Sequence, residues 1–216
     1  KQAFSMEDVR AYFLIIAASI AVIAVMIKDI YGSIWTAVQQ AAFQVGSIIT
    51  TTGYATTDFN MWPEVPRTIL VLLMFVGACA GSTGGGIKVS RLVILMKTVK
   101  KEFHTMLHPR SLRKLQMDGH LLEHETIRAT NVFFATYILI FVLSVLLVGF
   151  DGHDLITNFT SVAATLNNIG PGLELVGPTQ NFSVFSNGSK LVLIFDMLVG
   201  RLEIFPLLLL FVSDTW

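Results

Sequence analysis

Two short segments carry residue types suited to holding a bare cation: Thr50-Thr51-Thr52-Gly53-Tyr54 and Asn167-Asn168-Ile169-Gly170-Pro171. An ion stripped of its water needs oxygen ligands in place of the hydration shell, and a short extended backbone behind a helix supplies them as carbonyls. Glycine in such a stretch permits the dihedrals that turn a carbonyl inward. Aligning Gly53 on Gly170 pairs Thr51 with Asn168 and Thr52 with Ile169, and the carbonyls of those four residues are the expected cation ligands. Each loop follows an apolar segment, 34–49 or 155–166, and a helix there turns the negative end of its dipole toward the ion. Taken singly, a Thr-rich or Asn-Gly-Pro stretch is an ordinary turn composition. Two of them at matched places favour the ion-holding reading.

The elements that must position these loops are membrane-like. Hydrophobic residues make up 53% of the 216 and charged residues only 14%, with a mean hydropathy of +0.67. A membrane-crossing helix needs about 20 mostly apolar residues to span roughly 30 Å of hydrocarbon. Segments 11–27, 131–150 and 190–211 read as spans; a fourth, 67–96, is interrupted by Gly81-Ser82-Thr83-Gly84-Gly85-Gly86. Segments 34–49 and 155–166 are too short or too polar to cross, carrying Gln39, Gln40 and Gln44 or Asn158 and Thr160. They read as re-entrant pore helices, since irregular backbone at membrane depth survives only against protein or a water-filled cavity. The order span, half-span, polar loop, span occurs twice, and the offset between Gly53 and Gly170 nearly equals that between Ala11 and Asn131. This is the pattern of an internal duplication. The expected fold is an all-α membrane protein with two membrane–pore-loop–membrane repeats, 1–101 and 130–216, joined by a linker over 102–129.

Charge orients the chain. Lys97, Lys100, Lys101, Arg110, Arg113, Lys114 and Arg128 cluster at the linker, while the opposite side contributes Lys28, Arg67 and Lys190. The positive-inside rule puts 97–128 in the cytoplasm and the two polar loops toward the outside. A net charge of zero argues against nucleic acid as a partner. Cys79 is alone, so no disulfide framework exists. His104, His108, His120 and His124 lack the spacing and third ligand of a metal site. The sequons at Asn158, Asn181 and Asn187 read as chance matches, and a chain opening on Lys1 reads as part of a longer one.

The glycine run does not fit a phosphate-binding loop, because Ile87 separates Gly86 from Lys88 and a span precedes it. Small residues also mediate close helix packing. Four glycines among six residues go further, since each costs a helix about 1 kcal/mol relative to Ala. The run therefore reads as an irregular segment lining a cavity, where a gate would sit. Arg201 interrupts the last span, and the repeat offset places it level with Gly84. A lone charge at mid-membrane is normally kept for function. Arg201 is expected to donate to carbonyls of the 81–86 loop; pairing with Asp196 or Glu203 is the alternative. No Ser/His/Asp set, acid pair or cofactor loop lies on the spans, so an enzyme is not expected.

The chain resembles the Trk/Ktr/HKT potassium transporter superfamily, and within it the C-terminal half of a bacterial Trk-type membrane subunit. The resemblance rests on both polar loops, on Gly77 through Lys88, on Asn167 through Gly172, and on Gly200-Arg201-Leu202-Glu203-Ile204-Phe205. It implies four repeats around one pore, of which this chain supplies the third and fourth, with the first two missing. It implies potassium as the transported ion, a filter at residues 50–54 and 167–171, a gate formed by the 81–86 loop with Arg201, and a place in the bacterial inner membrane. It further implies a homodimer that docks a cytosolic nucleotide-binding regulatory subunit. A sodium-selective or sodium-coupled transporter of the same architecture, or a non-conducting scaffold subunit, is the alternative.

Overall fold

The computed structural model describes residues 6–82, 84–108, 114–202, 204 and 206. Its first half begins with helix α1 (Glu7–Tyr31), which stops at Gly32 in the left-handed conformation, and continues with α2 (Ile34–Ile49) and α3 (Glu64–Phe75). Helix α4 (Val89–Leu107) follows an irregular passage. A two-stranded hairpin, β1 (Gln116–Met117) and β2 (His120–Leu121), turns through Asp118 and Gly119, both with positive φ. The second half is α5 (His124–Gly149), α6 (Leu155–Leu166) and α7 (Asn187–Leu202). Among the described residues, α1 and α5 are long and apolar enough to cross a membrane.

Helix α2 buries Ala37, Ala41, Val45, Ile48 and Ile49. That spacing of three or four residues forms one helical face, and Ile23, Ala24 and Ile27 of α1 meet it, with Leu70, Leu73 and Met74 of α3 closing the cluster. In the second half, Val148, Val162 and Leu193 form the corresponding core of α5, α6 and α7. Phe75 joins the halves, placing its ring 5.4–6.5 Å from Phe141, Phe159 and Tyr137. Leu14, Val25, Leu139, Leu143 and Leu146 remain exposed on the outer faces, a display that a water-soluble surface avoids.

The two ends are tied by polar contacts. At one, Arg67 of α3 pairs with Glu174 of the second half, whose amide donates to Asn60 Oδ1 at 2.9 Å. At the other, Lys97 of α4 pairs with Glu7 of α1 and donates to the Gln116 carbonyl at 2.6 Å, while the Glu7 amide donates to Asp118. The segment expected as a linker over 102–129 is thus mostly the last turns of α4, the pinned hairpin and the first turns of α5. Arg110 and Arg113 lie outside the described residues.

Candidate functional site

Both half-length helices end in the same backbone device. The Thr51 amide donates to the Ile48 carbonyl at 3.0 Å and the Thr52 amide to Ser47 at 2.9 Å; the Asn168 amide donates to Thr165 at 3.0 Å and the Ile169 amide to Ala164 at 2.9 Å. These are the paired bonds of a Schellman cap, which requires a left-handed residue. Thr51 (φ +57°) and Asn168 (φ +55°) occupy it, where an L-residue costs roughly 1–2 kcal/mol. A β-branched threonine is the more strained of the two. The cap occupies the carbonyls of Ser47 and Ile48 in one loop and of Ala164 and Thr165 in the other. Among the described residues, no backbone amide donates to the carbonyls of Thr51, Thr52, Asn168 or Ile169. Four carbonyl oxygens beyond two helix C-termini are therefore available to a cation, and each helix end adds the equivalent of about half a negative charge.

The two loops touch. A Cβ on Gly53 (φ +78°) would lie 2.0 Å from the Ile169 carbonyl oxygen and 3.4 Å from Pro171 Cδ, so only glycine fits. Gly170 (φ +120°) has Gly53 Cα as its nearest neighbour, 4.0 Å from an added Cβ. Side chains brace both loops. Ser47 Oγ donates to the Tyr54 carbonyl, Thr50 Oγ1 donates to the Gly46 carbonyl at 2.6 Å and lies 2.8 Å from Thr52 Oγ1. In the second loop, buried Tyr137 donates to Asn167 Oδ1 at 2.9 Å, Asn167 Nδ2 donates to Ala163 at 2.8 Å and Asn168 Nδ2 donates to Met197 at 3.0 Å. Thr50, Thr52 and Tyr54 are exposed, whereas Asn167 and Ile169 are buried. Asp154 caps the start of α6, accepting from the Thr157 amide at 2.9 Å. Burial raises its carboxyl, but the Thr157 hydroxyl and amide outweigh that and hold it below the usual carboxylate range.

The interruption after α3 is longer than the glycine run. Helix α3 stops at Phe75 because the chain loops out and rejoins alongside its own start in a parallel bridge between Val76 and Ile87: the Gly77 amide donates to the Ile87 carbonyl at 2.7 Å, the Ile87 amide to Phe75 at 3.2 Å and the Val89 amide to Ala78 at 3.3 Å. Satisfying backbone groups this way is what an apolar surrounding demands. Gly84, Gly85 and Gly86 of this irregular segment lie directly against the two loops. An added Cβ would meet Thr51 Oγ1 at 3.4 Å from Gly84, the Asn167 carbonyl oxygen at 2.2 Å from Gly85 and Asn167 Oδ1 at 3.3 Å from Gly86.

Lys88 donates to the glycine loop: its ammonium reaches the Ser82 carbonyl at 2.7 Å, the Gly84 carbonyl at 2.8 Å and Ser82 Oγ at 3.3 Å. Arg201 lines the same cavity of about 90 Å³, together with Ser82, Gly84, Gly86, Lys88 and Arg91. Asp196 turns to α5, accepting from Ser144 Oγ at 2.7 Å. Gly81 stands apart with open space around it, and Thr83 and Glu203 lie outside the described residues. His104 stacks on His108, and among the described residues no three His, Cys, Asp or Glu side chains gather as metal ligands.

Sequence reasoning passes over Tyr137, the packing role of Gly200 and the bonds that Lys88 makes to the glycine loop. An added Cβ at Gly200 would lie 1.8 Å from the Leu166 carbonyl oxygen, so α7 presses backbone to backbone on the end of α6. Gly200 lies beside Arg201, and its place beside an arginine within an apolar stretch is the available signal.

The sequence model of the TrkH cation transport proteins matches residues 11–215. The chain belongs to that family. It is 39% identical over 197 residues to the Trk system potassium uptake protein TrkH of Salmonella typhimurium, covering 91% of this chain and 40% of that protein. It is 42% identical over 186 residues to TrkH of Vibrio parahaemolyticus, covering 86% and 38%. The crystal structure of the potassium transporter TrkH from Vibrio parahaemolyticus superposes with a TM-score of 0.90 at 38% identity, covering 99% of this chain and 46% of that one. The chain thus spans about two-fifths of the length of the curated relatives it matches.

Proposed function

We propose that this chain forms two quarters of a potassium-selective pore in a bacterial inner membrane, with residues 50–54 and 167–171 as half of its selectivity filter. The observation that carries this reading is the pair of left-handed caps at Thr51 and Asn168, followed by unclaimed carbonyls at 51–52 and 168–169. Two unrelated side chains hold one backbone shape at matched positions, which makes the carbonyls the working groups. Thr50, Thr52 and Tyr54 are exposed on a face that two further quarters would close. A potassium ion stands to them as cargo, shedding water as the carbonyls take over.

Below the filter, the 81–86 loop is the gate in this reading. Lys88 latches it through two carbonyls, and Arg91 and Arg201 add further positive charge to the cavity that a cation must pass. The basic end of the molecule faces the cytoplasm, where a nucleotide-binding regulatory subunit docks, and two copies of the whole protein assemble. The test is flux of rubidium and sodium into vesicles holding the whole protein. Rubidium should enter at least tenfold faster than sodium, and Lys88→Met should raise the open fraction without altering that ratio. Equal entry of the two ions would sink the filter assignment.

A further inference from the structure

Two cavities meet along α4. One is a groove of about 620 Å³ between α1 and α4, walled by Ala11, Ile15, Leu92, Val93, Met96 and Phe103. The other is a basic hollow of about 260 Å³ formed by Lys97, Lys100, Lys101 and Lys114 with Leu115 and Gln116. Lys97 and Lys100 belong to both, so the apolar groove opens into the basic hollow.

The hollow is built rather than a loose run of charge. Lys97 is fixed by Glu7 and the Gln116 carbonyl, and Asp118 pins the hairpin to the start of α1. Of the four lysines Glu7 pairs with Lys97; among the described residues Lys100, Lys101 and Lys114 have no ion-pair partner. Three unneutralised ammonium groups thus stand at the mouth of a groove whose flank carries exposed Met96 and Phe103. Along α4, Val89 to Phe103 covers about 21 Å at a helical rise of 1.5 Å per residue. One leaflet of hydrocarbon is about 15 Å deep, so the groove accepts an acyl chain along its length.

We infer that this composite site holds one anionic phospholipid, with an acyl chain in the α1–α4 groove and its phosphate headgroup on Lys100, Lys101 and Lys114. Basic hollows between membrane helices on the cytoplasmic side favour anionic headgroups. A soluble anion or an acidic peptide would use the lysines but leave the groove without an occupant. The inference rests on the membrane placement proposed above, but its readout is independent of transport.

The experiment is native mass spectrometry of the whole protein, delipidated and then reconstituted with phosphatidylglycerol or phosphatidylcholine. Wild type should retain one phosphatidylglycerol and no phosphatidylcholine. The triple variant K100Q/K101Q/K114Q should lower that retention at least tenfold, and K100R/K101R/K114R should preserve it. Val93→Trp, which fills the groove and keeps every charge, should also abolish it. Equal retention of the two lipids, or undiminished phosphatidylglycerol in either the glutamine or the tryptophan variant, would overturn the site. Rubidium flux from the same samples separates the two readings: lipid retained without flux breaks the pore assignment alone, and flux without retained lipid breaks this one alone.

Discussion

The two halves reach one backbone shape by different means. In the first, a strained Thr51 takes the left-handed position, the loop is braced by hydroxyls on its own helix, and the following span is broken. In the second, Asn168 takes the position with less strain, the braces come from α5 and α7, and α7 continues past the same depth unbroken. What is common to both halves, the cap and the free carbonyls beyond it, is what cation binding needs. What differs is support and mobility. The broken half carries the moving part in our reading, and the continuous half is the wall it closes against.

The largest expected effects come from glycines that face backbone. Gly53→Ala and Gly200→Ala each force a Cβ to within 2.0 Å of a carbonyl oxygen; overpacking costs about 1–3 kcal/mol, and we expect the upper end. Gly170→Ala has room and meets only backbone strain at φ +120°, about 1–3 kcal/mol. Thermal melting of the whole protein should rank Gly170→Ala well above the other two, and equal losses would mean the loops do not touch as described.

Next come the braces. Tyr137→Phe leaves the buried Asn167 oxygen without its donor, costing about 1–3 kcal/mol, whereas Ser47→Ala should cost less because Tyr54 reaches water. The caps themselves should respond with opposite signs. Thr51→Gly relieves a left-handed threonine and should stabilise by about 1 kcal/mol; Asn168→Gly loses the bond to Met197 and should not. Denaturant or thermal titration of the two variants reads this directly.

The smallest effect contrasts the helix starts. Asp154→Ala removes a cap from α6 and should cost about 1 kcal/mol, while Ser33, which makes no side-chain cap on α2, should tolerate Ala. Because the Asp154 carboxyl is held below its ordinary range, its contribution is present above the ordinary carboxylate pKa. It is lost as pH falls through the depressed value, so the two variants should converge in acid.

Much of this was legible because it is local. Helices α2 and α6 begin and end with their apolar runs, and the glycine run marks a break. Its true start at Val76 was not legible, because that end is set by pairing with Ile87 across the loop, a non-local contact. The Asp118-Gly119 pair carries the signal of a two-residue hairpin turn, yet the charge around it reads first as a solvated linker. Lys88 was not legible for a related reason: its spacing excludes a phosphate-binding loop, and only the fold shows that it reaches the Ser82 and Gly84 carbonyls. The left-handed Thr51 is the least readable feature of all, since threonine is a poor choice for that position.

The central claim is that two caps present four carbonyls to one ion. Anomalous diffraction from rubidium-soaked crystals of the whole protein tests it most directly. We predict a rubidium peak within coordinating distance of the Thr51, Thr52, Asn168 and Ile169 carbonyl oxygens, absent when sodium replaces rubidium. Rubidium bound elsewhere in the pore, with these four oxygens unliganded, would contradict the account.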